Sequence, residues 1–199
     1  MKSLRSVAFF AVILAGVSCV LAEGAKYVDP SGTKTIVTLN QINPQDWANM
    51  ADQMVGSLLE SGVLERAPEK PAIMAISRIT NKTQMQIDTD LLIKKIRVAL
   101  LKSGKVVTTT TVAIGGKNED PLAADAAEQQ KFVSGDNTPD KQPFYSLSGK
   151  ILEDKVKNGR VTQVTYTFQL SLTTIKDGLA VWEDEKQVMK QDKKPAVGW

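Results

Sequence analysis

The chain has 199 residues, a formal charge of +3 and no histidine. That length accommodates one domain with a real core plus appendages. With no histidine and a single cysteine, Cys19, the sequence excludes internal disulfides, His-based or multi-Cys metal sites, and Ser-His-Asp or Cys-His catalysis.

Residues 1–22 read as an export signal. Lys2 and Arg5 form a positive start, and Val7 to Val17 form an apolar run too short for a retained membrane span. Without Lys2 and Arg5, 23 basic residues face 22 acidic ones. Such a balance supplies no basic stripe for nucleic acid. Two endings of the signal compete. Val20-Leu21-Ala22 suits an ordinary signal peptidase and a soluble start at Glu23, whereas Gly16-Val17-Ser18-Cys19 is an imperfect lipobox in which Cys19 would carry lipid.

Residues 23–35 hold Gly, Pro, Ser and Thr with little apolar content and read as a short linker. Ile36 to Leu39 offers an additional strand. Asn43-Pro44 is an N-cap followed by Pro at the first helical position, and Ile42 and Trp47 stand where a hydrophobic staple needs them. Trp47, Met50, Ala51, Met54, Val55, Leu58 and Leu59 then recur at helical spacing up to the stop at Gly62. Burying such a stripe contributes on the order of 10 kcal/mol before chain entropy is counted.

Pro71 to Thr80 is a short apolar run that predicts a buried strand, followed by a turn at Asn81-Lys82-Thr83. Asp88 caps a second helix, with Ile87 and Leu92 as its staple. Leu91, Leu92, Ile96, Ala99 and Leu100 are its predicted buried stripe, and Ser103-Gly104 its end. Val106 to Ile114 is β-branched and predicts a strand ending at Gly115-Gly116. Asp120-Pro121 opens an Ala-rich helix to about Phe132, and Ser134 to Pro143 reads as a polar loop.

Phe144 to Asp154 predicts another strand, and Asn158-Gly159 a hairpin turn. From Val164 to Leu172 apolar and polar residues alternate strictly, placing Val164, Tyr166, Phe168, Leu170 and Leu172 on one face. Asp177-Gly178 predicts a tight turn into a last strand, Leu179 to Met189, with Ala180, Trp182 and Val188 on its apolar face. Residues 191–199 read as a polar tail ending in Trp199. The sum is an α/β (α+β) chain: three strand–helix alternations, then an antiparallel meander, in one mixed sheet with helices mainly on one face. The domain itself is expected over 36–190.

Chemistry-bearing groups are sparse. No G-x-S-x-G elbow, P-loop or G-x-G-x-x-G occurs, and Gly115-Gly116-Lys117 lacks phosphate-loop spacing. Glu183, Asp184 and Glu185 would offer paired carboxylates to a glycan hydrolase. Beside Lys186 and Lys190 they read more simply as a solvated charged face. Lys94, Lys95 and Arg97 lie opposite or beside the apolar stripe of the second helix, where they could meet an acidic partner or merely face water. No catalytic residue, cofactor or metal is assigned.

Residues 43–107 and 144–190 together resemble the LpoB family of bacterial envelope proteins. The resemblance rests on NPQDWANMADQMVGSLLESGVL, on KPAIMAISRITNKTQMQIDTDLLIKKIRVALLKSGKV, and on FYSLSGKI and VTYTFQLSLTTIKDGLAVWEDEKQVMK as a set. It implies a domain similar to the amino-terminal domain of TolB. It also implies a non-catalytic role: docking onto a peptidoglycan synthase, a bifunctional penicillin-binding protein, and raising its activity. No partner-binding residue is carried over. Family members are anchored in the outer membrane through a lipidated cysteine, for which only Cys19 is available here. A linker of about 15 residues reaches only ~50 Å when taut, so a chain anchored at Cys19 would stay close to its own membrane. The alternative reading is an assembly or scaffolding module for another envelope or secretion complex.

Overall fold

The computed structural model describes residues 28–29, 32, 36–111, 120–135 and 141–194. The signal segment, Cys19, Gly115-Gly116-Lys117, Pro195 and Trp199 lie outside these residues.

Helix α1 runs Pro44–Glu60. Pro44 takes the first helical position, and Asp46 reaches back to accept the Asn43 backbone N–H at 2.8 Å, satisfying a donor the helix cannot. Its stripe of Trp47, Met50, Ala51, Met54, Val55 and Leu58 is buried as the spacing requires. Gly62, at φ 69°, lets the chain leave the helix in the left-handed region and enter a single 3₁₀ turn, Val63–Arg66. Strand β1 follows (Ala72–Lys82), then α2 (Thr89–Lys102), capped by the Asp88 carboxylate on the Asp90 N–H at 2.9 Å. Strand β2 is Val106–Thr108 and helix α3 is Pro121–Ser134. The meander is β3 (Tyr145–Asn158), β4 (Val161–Thr174) and β5 (Ala180–Lys193).

The five strands form one mixed sheet in the order β2-β1-β3-β4-β5. β1 pairs in parallel with β2 and β3, while β3, β4 and β5 pair antiparallel. Helices α1 and α2 pack against each other and cover one face of the sheet. Beneath them the whole alternating set of β4 is buried, Val164, Tyr166, Phe168, Leu170 and Leu172 each at 3% exposure or less. The Trp47 and Phe168 rings meet in a T-shaped contact with centroids 5.5 Å apart at 80°. The mixed α+β sheet expected from sequence is therefore present.

Several expectations are corrected. Ile36 to Leu39 is not a strand; Ile36 and Val37 are 84% and 68% exposed and the segment pairs with no strand. The alternation therefore begins with α1. Asn81 and Lys82 belong to β1, paired with Ile151 and Leu152, and the turn starts at Thr83, whose N–H bonds the Asn81 side chain at 2.9 Å. The buried side of α2 is rotated from the expected one: Leu92, Ile96 and Leu100 are buried, but Leu91 is exposed and Arg97 is buried. With Ile93 partly buried, the stripe turns toward the 93–97 row.

Strand β2 spans only Val106–Thr108, and residues 112–119 lie outside the described ones. Helix α3 buries no residue, so it does not share the helical layer. The β4–β5 connection is longer than a two-residue turn, running Ile175 to Leu179, with the Gly178 N–H bonding the Thr174 carbonyl at 2.9 Å. The register shifts between Leu172 and Thr173, which puts Ala180 in solvent rather than beside Trp182. Strand β5 continues to Lys193, so the expected tail starts later than Gln191.

At Gly149 of β3 the sheet has no space for a side chain. A Cβ there would stand 2.5 Å from the Gln169 carbonyl oxygen and 2.6 Å from a Leu170 methyl, both on the paired strand β4. Gly149→Ala should therefore lower stability by about 2 kcal/mol. Urea denaturation reads this directly, and an unchanged midpoint would contradict the close approach.

Candidate functional site: interaction surfaces and the clamp that orients them

The carboxylate cluster of the sequence does not survive the strand geometry. Alternation along β5 sends Glu183 and Glu185 to the open face and Asp184 to the face beneath α1. Glu183 accepts the Ser171 hydroxyl at 2.8 Å, and Glu185 accepts the side-chain amides of Gln169 and Gln187. These are cross-strand and same-strand bonds of a polar sheet surface. Asp184 lies 3.2 Å from the Lys186 ammonium. Burial pushes its pKa up, but the Ser57 hydroxyl, the Glu185 N–H and Lys186 outweigh that and hold the carboxyl below its ordinary value. Glycan hydrolysis needs a second carboxyl kept protonated by its surroundings. The group here that burial would raise is instead held ionised.

The other shifted groups are equally structural. Burial raises the phenols of Tyr145 and Tyr166, which donate to the carbonyls of Val63 (2.9 Å) and Leu39 (3.2 Å). Burial lowers Arg97. Among the described residues no cluster of His, Cys, Asp and Glu could hold a metal ion, and no helix is long and apolar enough to cross a membrane.

Lys190 departs most from the sequence reading, which placed it on a solvated face. It is 7% exposed. Its ammonium pairs with Asp46 at 2.6 Å, donates to the Gln41 carbonyl at 2.6 Å, and lies 6.0 Å from the centre of the Tyr166 ring. The Asn43 side-chain amide donates to the Ile36 carbonyl at 2.8 Å. One buried cation thus ties β5 to the start of α1 and to the segment before it. The signal was present in the sequence: Lys190 shares parity with Trp182 and Val188, the inward side of β5.

Two of the open surfaces differ in character. The uncovered face of the meander is polar, formed by Ser148, Lys150, Gln169, Ser171, Glu183 and Glu185. A groove between α1 and α2 has Ala48, Leu91, Val98 and Ala99 as apolar lining, with Asp52, Lys94, Lys95 and Lys102 around it. This is where the second-helix lysines of the sequence reading come together; Arg97 is turned away from them.

The chain is thus a mixed α+β domain whose shifted tyrosines, Arg97 and Asp184 lie within its own packing. The chain matches the family model described as "Peptidoglycan-synthase activator LpoB" over residues 46–188, from the first turn of α1 to β5. It belongs to that family. Among solved structures it is similar to the LpoB C-terminal domain from Escherichia coli, at 18% identity over 72% of this chain and 98% of that one, with a TM-score of 0.45. The LpoB C-terminal domain from Salmonella enterica gives 17% identity over 72% and 98%, with a TM-score of 0.42. Lipoprotein GNA1162 from Neisseria meningitidis gives 13% over 64% and 88%, with a TM-score of 0.39. No curated protein matches the chain.

Two measurements check the electrostatics. Lys190→Ala leaves the largely covered Asp46 carboxylate without its cation and should cost about 3 kcal/mol in urea denaturation; a loss under ~1 kcal/mol would mean the pair is solvated. Asp184 has a folded pKa below its unfolded value of roughly 3.9. It therefore contributes stability that is present above that value and is lost as pH falls through the folded pKa. Asp184→Asn should flatten this acid limb, and an unchanged pH profile below about pH 4 would show that Asp184 does not drive it.

Proposed function

We propose that this chain is a non-enzymatic protein of the bacterial cell envelope that binds a bifunctional penicillin-binding protein and raises its peptidoglycan-synthesising activity. Membership of the activator family across nearly the whole sheet domain is the observation that carries this reading. The polar bonds of Glu183 and Glu185 and the depressed pKa of Asp184 support the non-enzymatic half, since neither supplies an acid poised to protonate a leaving group.

Activation by contact requires a rigid surface held in a defined orientation to its point of attachment. The Lys190 clamp supports this, because it holds the chain from Ile36 onward against β4 and β5. The protein acts in the periplasm, and lipid on Cys19 would hold it at the outer membrane. An assembly or scaffolding role in another envelope complex is favoured by one observation. The short span between Cys19 and Ile36 limits reach to the ~50 Å given above.

The purified chain should make no glycan polymer or cross-link alone and should raise both rates when added to the host's bifunctional synthase. Absence of binding to any such synthase, with capture of a different envelope complex instead, would select the assembly role. The intact mass of the N-terminal peptide from native envelopes tests the anchor. An acylated Cys19 is expected, and an unmodified start at Glu23 would make the protein diffusible.

A further inference from the structure

Helix α3 and one end of the sheet each leave apolar side chains uncovered. α3 spans 14 residues and buries none of them. Its Leu122, Phe132 and Val133 stand 78%, 90% and 84% exposed. A helix of that length is marginal in water without something to pack on. On the sheet, Val107, Ile73, Phe144 and Ile175 form a row across β2, β1, the start of β3 and the residue after β4. Val107 pairs with Ile73, the Phe144 N–H bonds the Ile73 carbonyl at 2.9 Å, and the Ile175 N–H bonds the Phe144 carbonyl at 3.0 Å. Their chain neighbours Val106, Met74 and Tyr145 are buried on the helical side, so the row lies on the face away from α1 and α2. Pro68 and Pro143 join Ile73, Phe144 and Ile175 around a cavity of about 280 Å³.

Connectivity decides what lies over this row. The β1–α2–β2 crossover runs over the face that α1 and α2 occupy. The β2–α3–β3 crossover then carries the chain back past β1 in the opposite direction, between strands that are both parallel to β1. Crossovers of opposite direction share the usual right hand only when they use opposite faces of the sheet. The two ends of α3 suit that course. Its first turn is tied beside β2, where the Asp120 N–H bonds the Thr110 carbonyl at 3.3 Å. Eight residues, 134–141, separate Val133 from Gln142 at the cavity. They reach up to about 29 Å, well over the ~10 Å from β2 to β3 across β1. So short a tether gives an effective concentration on the order of millimolar, which favours the chain's own helix over that of a second copy. Asp125 and Glu128 outnumber Lys131 on α3, which does not suit it to an anionic lipid surface.

We propose that α3 is a latch on this end of the sheet, its last turn seating Phe132 and Val133 in the cavity walled by Pro68, Ile73, Pro143, Phe144 and Ile175. Seated, the helix and the row cover each other's apolar side chains. Released, both sets are open to another molecule, so the latch sets how much apolar surface the domain offers. The inference does not depend on the activator reading.

Hydrogen exchange on the full mature chain tests it. Amides of α3 should exchange at least about tenfold more slowly than in a synthetic peptide of residues 120–135. Phe132→Ser with Val133→Ser should return them to the peptide rate, and so should Ile175→Ser, which changes only the cavity. Amides of β4 should stay protected in every variant. Peptide-like rates in the natural chain would overturn the latch, and α3 protection indifferent to Ile175→Ser would overturn its seat. Protection that rises with protein concentration would make the occupant the α3 of a second copy, which also overturns the proposal. Should a variant lose the protection of β4, a photo-crosslinker at Phe132 in the otherwise natural chain decides. It should join residues 68–73 or 142–144 of the same chain, and the absence of those links, or links only to a second chain, would overturn the proposal.

Discussion

The packing of β4 against α1 is the constraint on which the other elements depend. Five alternating side chains of β4 sit under the α1 stripe, with Trp47 in T-shaped contact with Phe168. Because side chains on a strand have period two, a shift of one residue would send all five to water and bring Thr165, Thr167, Gln169, Ser171 and Thr173 into the core. The register of β4 is thereby fixed by its own sequence. β3 and β5 pair along its full length and inherit that register. β1 in turn lies along β3, and α2 closes over β1 and β2. Gly149 shows how tightly the arrangement closes, since the paired strand occupies the space a methyl group would need.

The polar interior follows from the same geometry. β5 must place Trp182, Asp184, Lys186, Val188 and Lys190 inward once it pairs with β4, and three of these five are ionisable. A buried charge is tolerated only when its lost hydration is replaced. For Lys190 the replacement is a carboxylate and a carbonyl drawn from the chain around the start of α1. The Asp46 carboxylate already caps the helix, so one side chain serves both the local structure of α1 and the tertiary contact with β5. This coupling makes the entry of the chain into the domain part of its fold, although Ile36 and Val37 are themselves exposed.

How much of this was legible in the sequence depended on whether a feature was local. The caps at Asn43 and Asp88, the α1 stripe and the β4 alternation are set by residues a few positions apart, and the structure has them where the pattern put them. Features that depend on a distant partner were misread. Lys190 looked solvated because Asp46 and Gln41 are far away in sequence. Ile36 to Leu39 looked like a strand because β-branched residues favour one, but the segment pairs with no strand and is held instead through side chains, Asn43 on the Ile36 carbonyl and Tyr166 on the Leu39 carbonyl. Leu91 and Arg97 exchanged roles because the buried side of α2 is set by where α1 and β1 lie, and several rotations of the stripe fit the same apolar count. Cys19 is a different case: its role is decided by processing chemistry outside the described residues.

The candidate interaction face was hardest to read for a related reason. Core positions are constrained by this chain alone, so periodicity exposes them. A docking face is constrained by a second molecule, and in one sequence it looks like an ordinary solvated helix. The α1–α2 groove brings together what the sequence cannot display as neighbours: Asp52 and lysines of the second helix around apolar side chains that the core left uncovered. The open face of the meander makes the contrast. There the two carboxylates are satisfied within the sheet, Glu183 by Ser171 and Glu185 by Gln169 and Gln187, so a partner would have to break existing bonds to use them. Where a charge stands outside such bonds, as Lys94, Lys95 and Lys102 do in the α1–α2 groove, a partner has only water to displace.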